Sequence, residues 1–298
     1  MARLHLFQRT PPWVVPRLDY RITPAEHWML RWVPFAPAVV RAVLYWFLEV
    51  RMVGFRSPKV MNGASRVARW HLKRQVPDPA LRARLTPDHT LGCKRILVSD
   101  DYYPALTRPN VEVVTEGVAE VRAHSVVTTA GDELEVDTII LGAGFHVTDN
   151  PIASRVRGRG GKTLAEVWSP SMRAYLGMSV AGFPNLFVII GPNTALGHNS
   201  MVFMIESQLN YLMGCLEAMR QRGREHRRGA PPTRWPRSTM RSTGAMQGTV
   251  WSAGCNSWYL DSAGRNSVIW PGWSFGFRTR TRHFEPQKYV MSRAPSEA

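Results

Sequence analysis

The chain has 298 residues, 44% of them apolar and 10% aromatic, enough to bury a sizeable core, and this excludes disorder as the default. Its 38 Lys plus Arg against 22 Asp plus Glu give a net charge of +16, which favours anionic partners without choosing among nucleotide phosphates, nucleic acid and acidic lipid. Cys93, Cys215 and Cys255 are widely spaced and form no C-x-x-C or Cys/His cluster, so neither a metal site nor a disulfide framework is expected, and a reducing cytoplasm suits the set.

In chain order, residues 4–7 (LHLF) alternate as a strand does, and Pro11 and Pro12 end it. Arg9 directly after that strand is suited to gripping a phosphate in a bidentate fork, with the Thr10 hydroxyl beside it; a solvated loop arginine fits the same residues. Residues 24–76 read as helical. Thr23 serves as a cap, Pro24 suits the first helical position, 39–52 is apolar on most of its faces, and 65–75 reads as a second, more polar helix. The most apolar stretch, 32–55, is interrupted by Arg41, Glu49 and Arg51, so it reads as a core or cap helix and no stable membrane span is expected; Trp32, Trp46 and the arginines leave a membrane-surface role open.

Prolines at 77, 79 and 87 punctuate a short helix before a strand at 93–98, which Lys94-Arg95 opens. Short strands come next at 111–114, 118–121 and 125–129, with a hairpin signal at Ala130-Gly131-Asp132. Residues 137–141 (DTIIL) read as a further strand and run into Gly142-Ala143-Gly144-Phe145. That is the first half of G-x-G-x-x-G, but Val147 holds the sixth position, so the dinucleotide fingerprint is incomplete, although the glycines still allow a cofactor near the backbone. GRGGKT at 158–163 fails as a P-loop because Val156 stands where a glycine is required.

Residues 183–212 hold the clearest site pattern. Within them, 185–190 reads as a buried strand ending at Gly191-Pro192-Asn193, and a helix begins at about Ser200 with Val202, Ile205, Leu209, Leu212 and Leu216 as its apolar stripe. Strand, glycine turn and helix N-terminus mark a cofactor-site candidate; an ordinary strand-to-helix joint has the same look. Residues 220–241 are rich in Arg, Pro and Gly, as a basic tail or a functionless loop would be. Trp251, Trp258, Tyr259, Trp270 and Trp273 are too dense to be left in water and read as a core cap or a pocket wall. No G-x-S-x-G, H-E-x-x-H or EF-hand pattern occurs, and His146 and His198, beside glycine turns, leave a pocket role open, although a solvated or capping histidine is the commoner reading.

FQRTPPW at 7–13, CKR at 93–95, DYYPAL at 101–106, DTIILGAGF at 137–145, FPNLFVIIGPN at 183–193, and SWYLD, GRN and WPG between 257 and 272 together resemble the later part of flavin-containing Baeyer-Villiger monooxygenases of the hydroxyacetophenone type. The resemblance implies an α/β flavoprotein fold of two dinucleotide-binding domains, incomplete here: residues 1–136 as a remnant of the NADPH-binding domain with a helical insert at about 24–90, and 137–298 as the C-terminal part of the FAD-binding domain with an aromatic-rich tail. It implies conversion of a small-molecule carbonyl substrate, ketone to ester, with O2, FAD and NADPH, through a C4a-peroxyflavin. By the same resemblance, Arg9 and Thr10 match the pair on the NADPH 2′-phosphate, and Lys94 matches a further ligand of it. Arg95 matches the catalytic arginine, a permanent cation suited to an anion formed only during the reaction. Gly142, Gly144 and Phe145 match the family's A-T-G-F stretch, with Gly-Ala replacing Ala-Thr, and Gly191, Asn193, Asn199 and Met201 fall in the segment beside the flavin ring.

The departures are as informative. The family's glycine motif for FAD, its His- and Trp-bearing signature and its second glycine motif would all precede Met1, so the FAD pyrophosphate lacks its helix N-terminus here. The expectation is a truncated product, in which a frame slip would explain 220–241, and an upstream chain that supplies the glycine motifs is the expected partner. Two other readings stay open: a non-catalytic remnant holding NADP phosphate through Arg9, Thr10 and Lys94, and a basic nucleic-acid binder. The second ranks last, because the basic residues are spread along the chain and no recognition motif accompanies them; no nucleic-acid partner is expected.

Overall fold

A computed structural model describes residues 2–17, 19–184, 186–221, 228–230, 246–252 and 254–292, which fall into two units: Met1–His27 with Lys59–Phe145, and Trp28–Pro58 with His146–Ala298. In chain order the elements begin with β1 (Leu4–Phe7), β2 (Val14–Val15), α1 (Pro24–Trp32), α2 (Ala36–Val50), α3 (Met52–Phe55), α4 (Pro58–Gln75) and α5 (Pro79–Arg84). They continue with β3 (Leu97–Val98), α6 (Tyr102–Leu106), β4 (Val111–Val114), β5 (Val118–Val121), β6 (Ser125–Thr128), β7 (Glu133–Glu135), α7 (Leu164–Trp168), α8 (Met201–Gln221) and α9 (Ser274–Arg280).

In the first unit β1 lies parallel to β4, with Leu4 opposite Val111, and β2 lies parallel to β3. Leu72 of α4 joins Val14, Val76, Leu85, Tyr103, Leu106 and Val113 in one apolar cluster, which fixes both strand pairs against the helix. The Asp78 carboxylate caps α5, accepting from the backbone N–H of Ala80 at 3.0 Å and of Leu81 at 3.1 Å. The expected hairpin forms between β6 and β7, with Gly131 at φ +95°, a conformation side chains other than glycine's rarely take.

Three predicted strands are not built as expected. Of 93–98 only Leu97–Val98 pairs, because the Cys93 N–H closes a turn onto the Thr90 carbonyl at 3.1 Å. Within 185–190, Asn185 lies outside the described residues, and the rest makes one isolated bridge, Ser179 with Phe187. Ile190 there turns to φ +55°, so the ladder cannot extend. Residues 137–141 form no strand. The ladder of the β5–β7 sheet ends as the Val136 N–H donates to the His124 carbonyl at 2.9 Å, and among the described residues no strand runs beside 137–145.

Two helices form where expected but bury other faces. On α2 the apolar Val39, Val43, Phe47 and Val50 are exposed and Glu49 is buried, so it is not the core helix its composition suggests. On α8 the buried residues are Met204, Ser207, Gln208, Tyr211 and Cys215, while Val202, Leu209 and Leu216 of the predicted stripe are exposed. Gln208 sets that face: its Oε1 accepts from the Ile190 N–H at 2.8 Å and its Nε2 donates to the Leu176 carbonyl at 3.1 Å. Of the predicted aromatic cluster, Trp251 and Tyr259 are buried and Trp258 is exposed. Among the described residues no single helix is long and apolar enough to cross a membrane; α1 and the α2–α3 stretch qualify only as a pair bent by 110°. Most of 220–241 lies outside the described residues.

Candidate functional site

The predicted site residues divide between the units. In the first, the Gln8 N–H donates to the Val114 carbonyl at 2.8 Å, and its side-chain amide is held by the Tyr102 hydroxyl at 2.8 Å. Arg9 and Thr10 therefore emerge exposed at the C-terminal end of a parallel strand pair, the end at which open α/β sheets receive ligands. Lys94, half-buried, and Arg95, exposed, lead into β3, and the Leu97 N–H ties that strand to the Trp13 carbonyl at 2.9 Å. The β2–β3 pair thus draws the two cation-bearing segments to one ladder. Burial, joined by the Lys94 charge, holds the His89 imidazole below its usual range. Gly142, Gly144 and Phe145 are exposed, and a Cβ added at either glycine would meet no atom within 4 Å.

In the second unit, Gly191, Asn193 and Asn199 belong to one loop that leads into α8, and Met201 is the first residue of that helix. Asn193 sits at φ +55°, its N–H donates to the Ser267 carbonyl at 2.8 Å, and its Nδ2 donates to the carbonyls of Asn266 at 3.0 Å and Ile269 at 3.1 Å. The Met201 sulfur accepts from the Leu196 N–H at 3.2 Å. Gly191 is required by packing, since a Cβ there would lie 2.3 Å from the Gly177 carbonyl oxygen. Gly177, at φ +66°, faces Thr194 so closely that its own Cβ would stand 2.1 Å from Thr194 Cγ2. Two turns thus lock together backbone to backbone, and the loop's polar groups are largely engaged in holding its shape.

At the start of α8 lies a buried polar hub. Glu49 Oε1 accepts from the Ser274 N–H at 2.6 Å, and Oε2 accepts from the Ser274 hydroxyl at 2.7 Å and from Asn199 Nδ2 at 2.6 Å. The Tyr45 hydroxyl adds a bond to Ser274 Oγ at 3.0 Å. His198, its side chain wholly buried, places Nε2 3.3 Å from the same carboxylate but off the hydrogen-bond axis, and its Nδ1 has no hydrogen-bond partner among the described residues. Burial lowers the His198 pKa below its ordinary value against the opposing pull of Glu49. Of the two readings, the solvated or capping histidine is therefore overturned at His198, which is buried, whereas His146 is exposed and meets Asp149 at 3.2 Å. Sequence reasoning missed Glu49 and Ser274; the available signal was a lone acid inside an apolar run.

No family model matches the chain. Over 99% of its length it is 45% identical to a Baeyer-Villiger monooxygenase of Streptomyces coelicolor, and over 100% it is 44% identical to a Baeyer-Villiger monooxygenase of Pseudomonas aeruginosa. It spans 57% of the length of each of these curated relatives. Among solved structures, OTEMO in complex with FAD and NADP superposes with a TM-score of 0.76 at 19% identity, over 97% of this chain and 62% of that one. Cyclohexanone monooxygenase from Rhodococcus sp. Phi1 bound to NADP+ gives 0.77 at 20%, over 98% of this chain and 63% of that one. At such identities the likeness shows the fold: this chain carries part of the mixed α/β fold of those proteins. The resemblance to Baeyer-Villiger monooxygenases read from the motifs is borne out over nearly the whole chain.

Proposed function

We propose that this chain is the later part of an FAD- and NADPH-dependent monooxygenase of the Baeyer-Villiger type, which takes O2 and a small-molecule ketone to an ester in the cytoplasm. The observation that carries the reading is the 45% identity to the Streptomyces coelicolor relative over 99% of the chain. The geometry agrees with it where it bears on phosphate. Arg9 and Thr10 leave a parallel strand pair at its C-terminal end, exposed, and offer a guanidinium fork and a hydroxyl to the NADPH 2′-phosphate, with Lys94 as a further cation. Arg95 brings a guanidinium whose role is to stabilise negative charge that appears during the reaction.

When bound, the two cofactors would supply reducing equivalents and activate O2 for oxygen insertion; Arg9, Thr10 and Lys94 would hold the NADPH phosphate, and the loop before α8 would lie against the flavin. The chain's own contribution on the flavin side is the loop before α8, whose internal hydrogen bonds keep it in one shape and whose helix N-terminus offers free N–H groups. The fit to FAD is partial. Gly142 and Gly144 stand in open space, and among the described residues no α-helix comes after Phe145 until α7 at Leu164–Trp168, so no helix N-terminus there receives a pyrophosphate. We assign that half of the site to an upstream polypeptide segment.

The test is a purification with and without that segment. The reading expects bound yellow flavin and NADPH oxidation when the segment is supplied. Arg9→Ala should then raise the Kd for NADPH by about 10–100-fold, the loss of one charge-assisted hydrogen-bonded contact, while NADH binding stays unchanged. Equal weakening of NADH and NADPH would overturn the 2′-phosphate assignment.

A further inference from the structure

Residues 28–53 turn their apolar side outward. The face of α2 that looks into the second unit is the polar one: Glu49 is buried there and holds the hub with Ser274 and Asn199, and Met52 and Phe55 of α3 complete that inward side. The opposite side is apolar. Val39, Val43, Phe47 and Val50, three or four residues apart, form one stripe along α2, and all four are exposed. At the N-terminal end of the stripe α1 meets α2 at a bend of 110°, and the joint is aromatic: Trp28 is 62% exposed, Trp32 63% and Phe35 81%. Phe35 sits at φ +63°, a conformation that bulky residues rarely take. Trp46, also exposed, packs on Phe275 of α9 at 5.9 Å between ring centroids and carries the patch onto that helix. A helix with its carboxylate inside and its apolar stripe outside inverts the pattern of a surface helix in water, and contiguous patches of this kind mark docking surfaces.

The charges select the occupant. Between Trp28 and Pro58 the cations are Arg31, Arg41, Arg51 and Arg56, all exposed, and the one acid, Glu49, is buried. Arg31 stands over the Trp32 ring at 5.3 Å and Arg51 over the Phe47 ring at 4.9 Å, so cation and exposed aromatic are paired at two points of the patch. Arg41 meets Glu206 of α8 at 2.9 Å and Arg278 of α9 reaches the same carboxylate at 3.8 Å, which leaves that corner with a positive surplus. Tryptophan and phenylalanine rimmed by arginine suit a bilayer interface: the rings enter the acyl boundary while the guanidinium groups stay with the lipid phosphates. With 15 residues α2 is shorter than the roughly 20 a spanning helix needs, so it lies along the surface. We infer that residues 28–53 are a membrane-docking segment that lies in the interface of a bilayer containing anionic phospholipid, seating Trp32, Phe35 and Phe47 below the headgroups. The net charge of +16 draws the chain toward the same surface. None of this rests on the monooxygenase reading.

The experiment floats the full chain with vesicles of phosphatidylcholine alone, or of phosphatidylcholine with roughly one part in three phosphatidylglycerol. Docking predicts co-flotation with the anionic vesicles at an affinity at least about tenfold above that for phosphatidylcholine alone. Trp32→Ser combined with Phe35→Asn changes only exposed positions, and asparagine tolerates a positive φ, so circular dichroism and melting should stay as they are while affinity for the anionic vesicles falls at least about tenfold. Arg31→Gln combined with Arg51→Gln should remove most of the preference for anionic over neutral vesicles. Four outcomes overturn the inference. The chain fails to float with anionic vesicles; or the Trp32→Ser, Phe35→Asn variant floats as well as the native chain, which leaves only diffuse charge attraction. The chain forms a dimer that this variant abolishes and that vesicles do not compete with, which gives the face to a second copy. Flotation is lost when the chain is purified with the portion of the Streptomyces coelicolor relative that it does not match, which gives the face to an internal partner. Flavin and turnover do not enter the measurement, so its failure leaves the monooxygenase reading untouched.

Discussion

Glu49→Ala gives the sharpest test of how the loop before α8 is held. The native carboxylate is inaccessible to solvent and receives the Ser274 N–H at 2.6 Å, the Ser274 hydroxyl at 2.7 Å and the Asn199 amide at 2.6 Å. Truncation leaves the Ser274 N–H as a buried donor without an acceptor, whereas the half-buried Asn199 amide keeps the Ser274 hydroxyl oxygen at 3.3 Å. The orphaned N–H carries a penalty of about 1–3 kcal/mol, and the cavity left by the missing side chain adds to it. The Ser274 hydroxyl can turn to the Tyr45 oxygen and escapes most of that penalty. The total comes to about 2–4 kcal/mol, which for a unit of this size corresponds to a fall in Tm of roughly 5–10 °C. Glu49→Gln keeps shape and one acceptor, and should cost about half as much. Differential scanning calorimetry or urea unfolding of the full chain measures both. A Glu49→Ala melting point within about 2 °C of the native one would refute the hub, since a buried donor left without its acceptor does not fit so small a change.

His198 and His89 both have pKa values lowered by burial, so the unfolded chain binds protons that the folded chain does not as pH falls below about 6.5. Stability should therefore be full above that pH and decline on acidification, and His198→Asn should shallow the decline measured by urea midpoints from pH 7 to pH 5; an unchanged slope would contradict it. Gly177→Ala, with its Cβ set 2.1 Å from Thr194 Cγ2 and 2.9 Å from the Pro192 carbonyl, should destabilise the chain by about 2–4 kcal/mol or prevent folding. Gly142→Ala meets no neighbour and should leave Tm unchanged. If it nonetheless weakens flavin retention in the complemented protein, the cofactor is the reason.

Legibility in the sequence tracks the range of the forces involved. β1, α1, α8 and the β6–β7 hairpin were readable because their signals are local: alternation in LHLF, a proline start at Pro24, an apolar helical period after Ser200, and a turn glycine at Gly131. Which face of α8 turns inward was not, because Gln208 is buried to satisfy the Ile190 N–H and the Leu176 carbonyl, groups 18 and 32 residues away. Glu49 was unreadable as a hub for the same reason, its principal partner Ser274 being 225 residues on. The apolar run at 137–141 shows the converse. Its composition reads as a buried strand, and no neighbouring strand is present among the described residues to make it one. Of the candidate site, Arg9 and Thr10 stood out by their place after a strand and gained their assignment, like Lys94 and Arg95, from the resemblance, whereas the packing roles of Gly191 and Asn193 came only from the coordinates.

The visible spectrum of the full chain, purified together with the upstream portion of the Streptomyces coelicolor relative and then given NADPH, O2 and a simple aryl ketone, tests the central claim most directly. The account predicts a bound flavin absorbing near the usual yellow bands, bleached by NADPH and restored by O2, with ester detected by mass spectrometry and lost in Arg95→Ala while the colour remains. A colourless complex, or a yellow one that oxidises NADPH yet forms the same ester yield in Arg95→Ala, would contradict it.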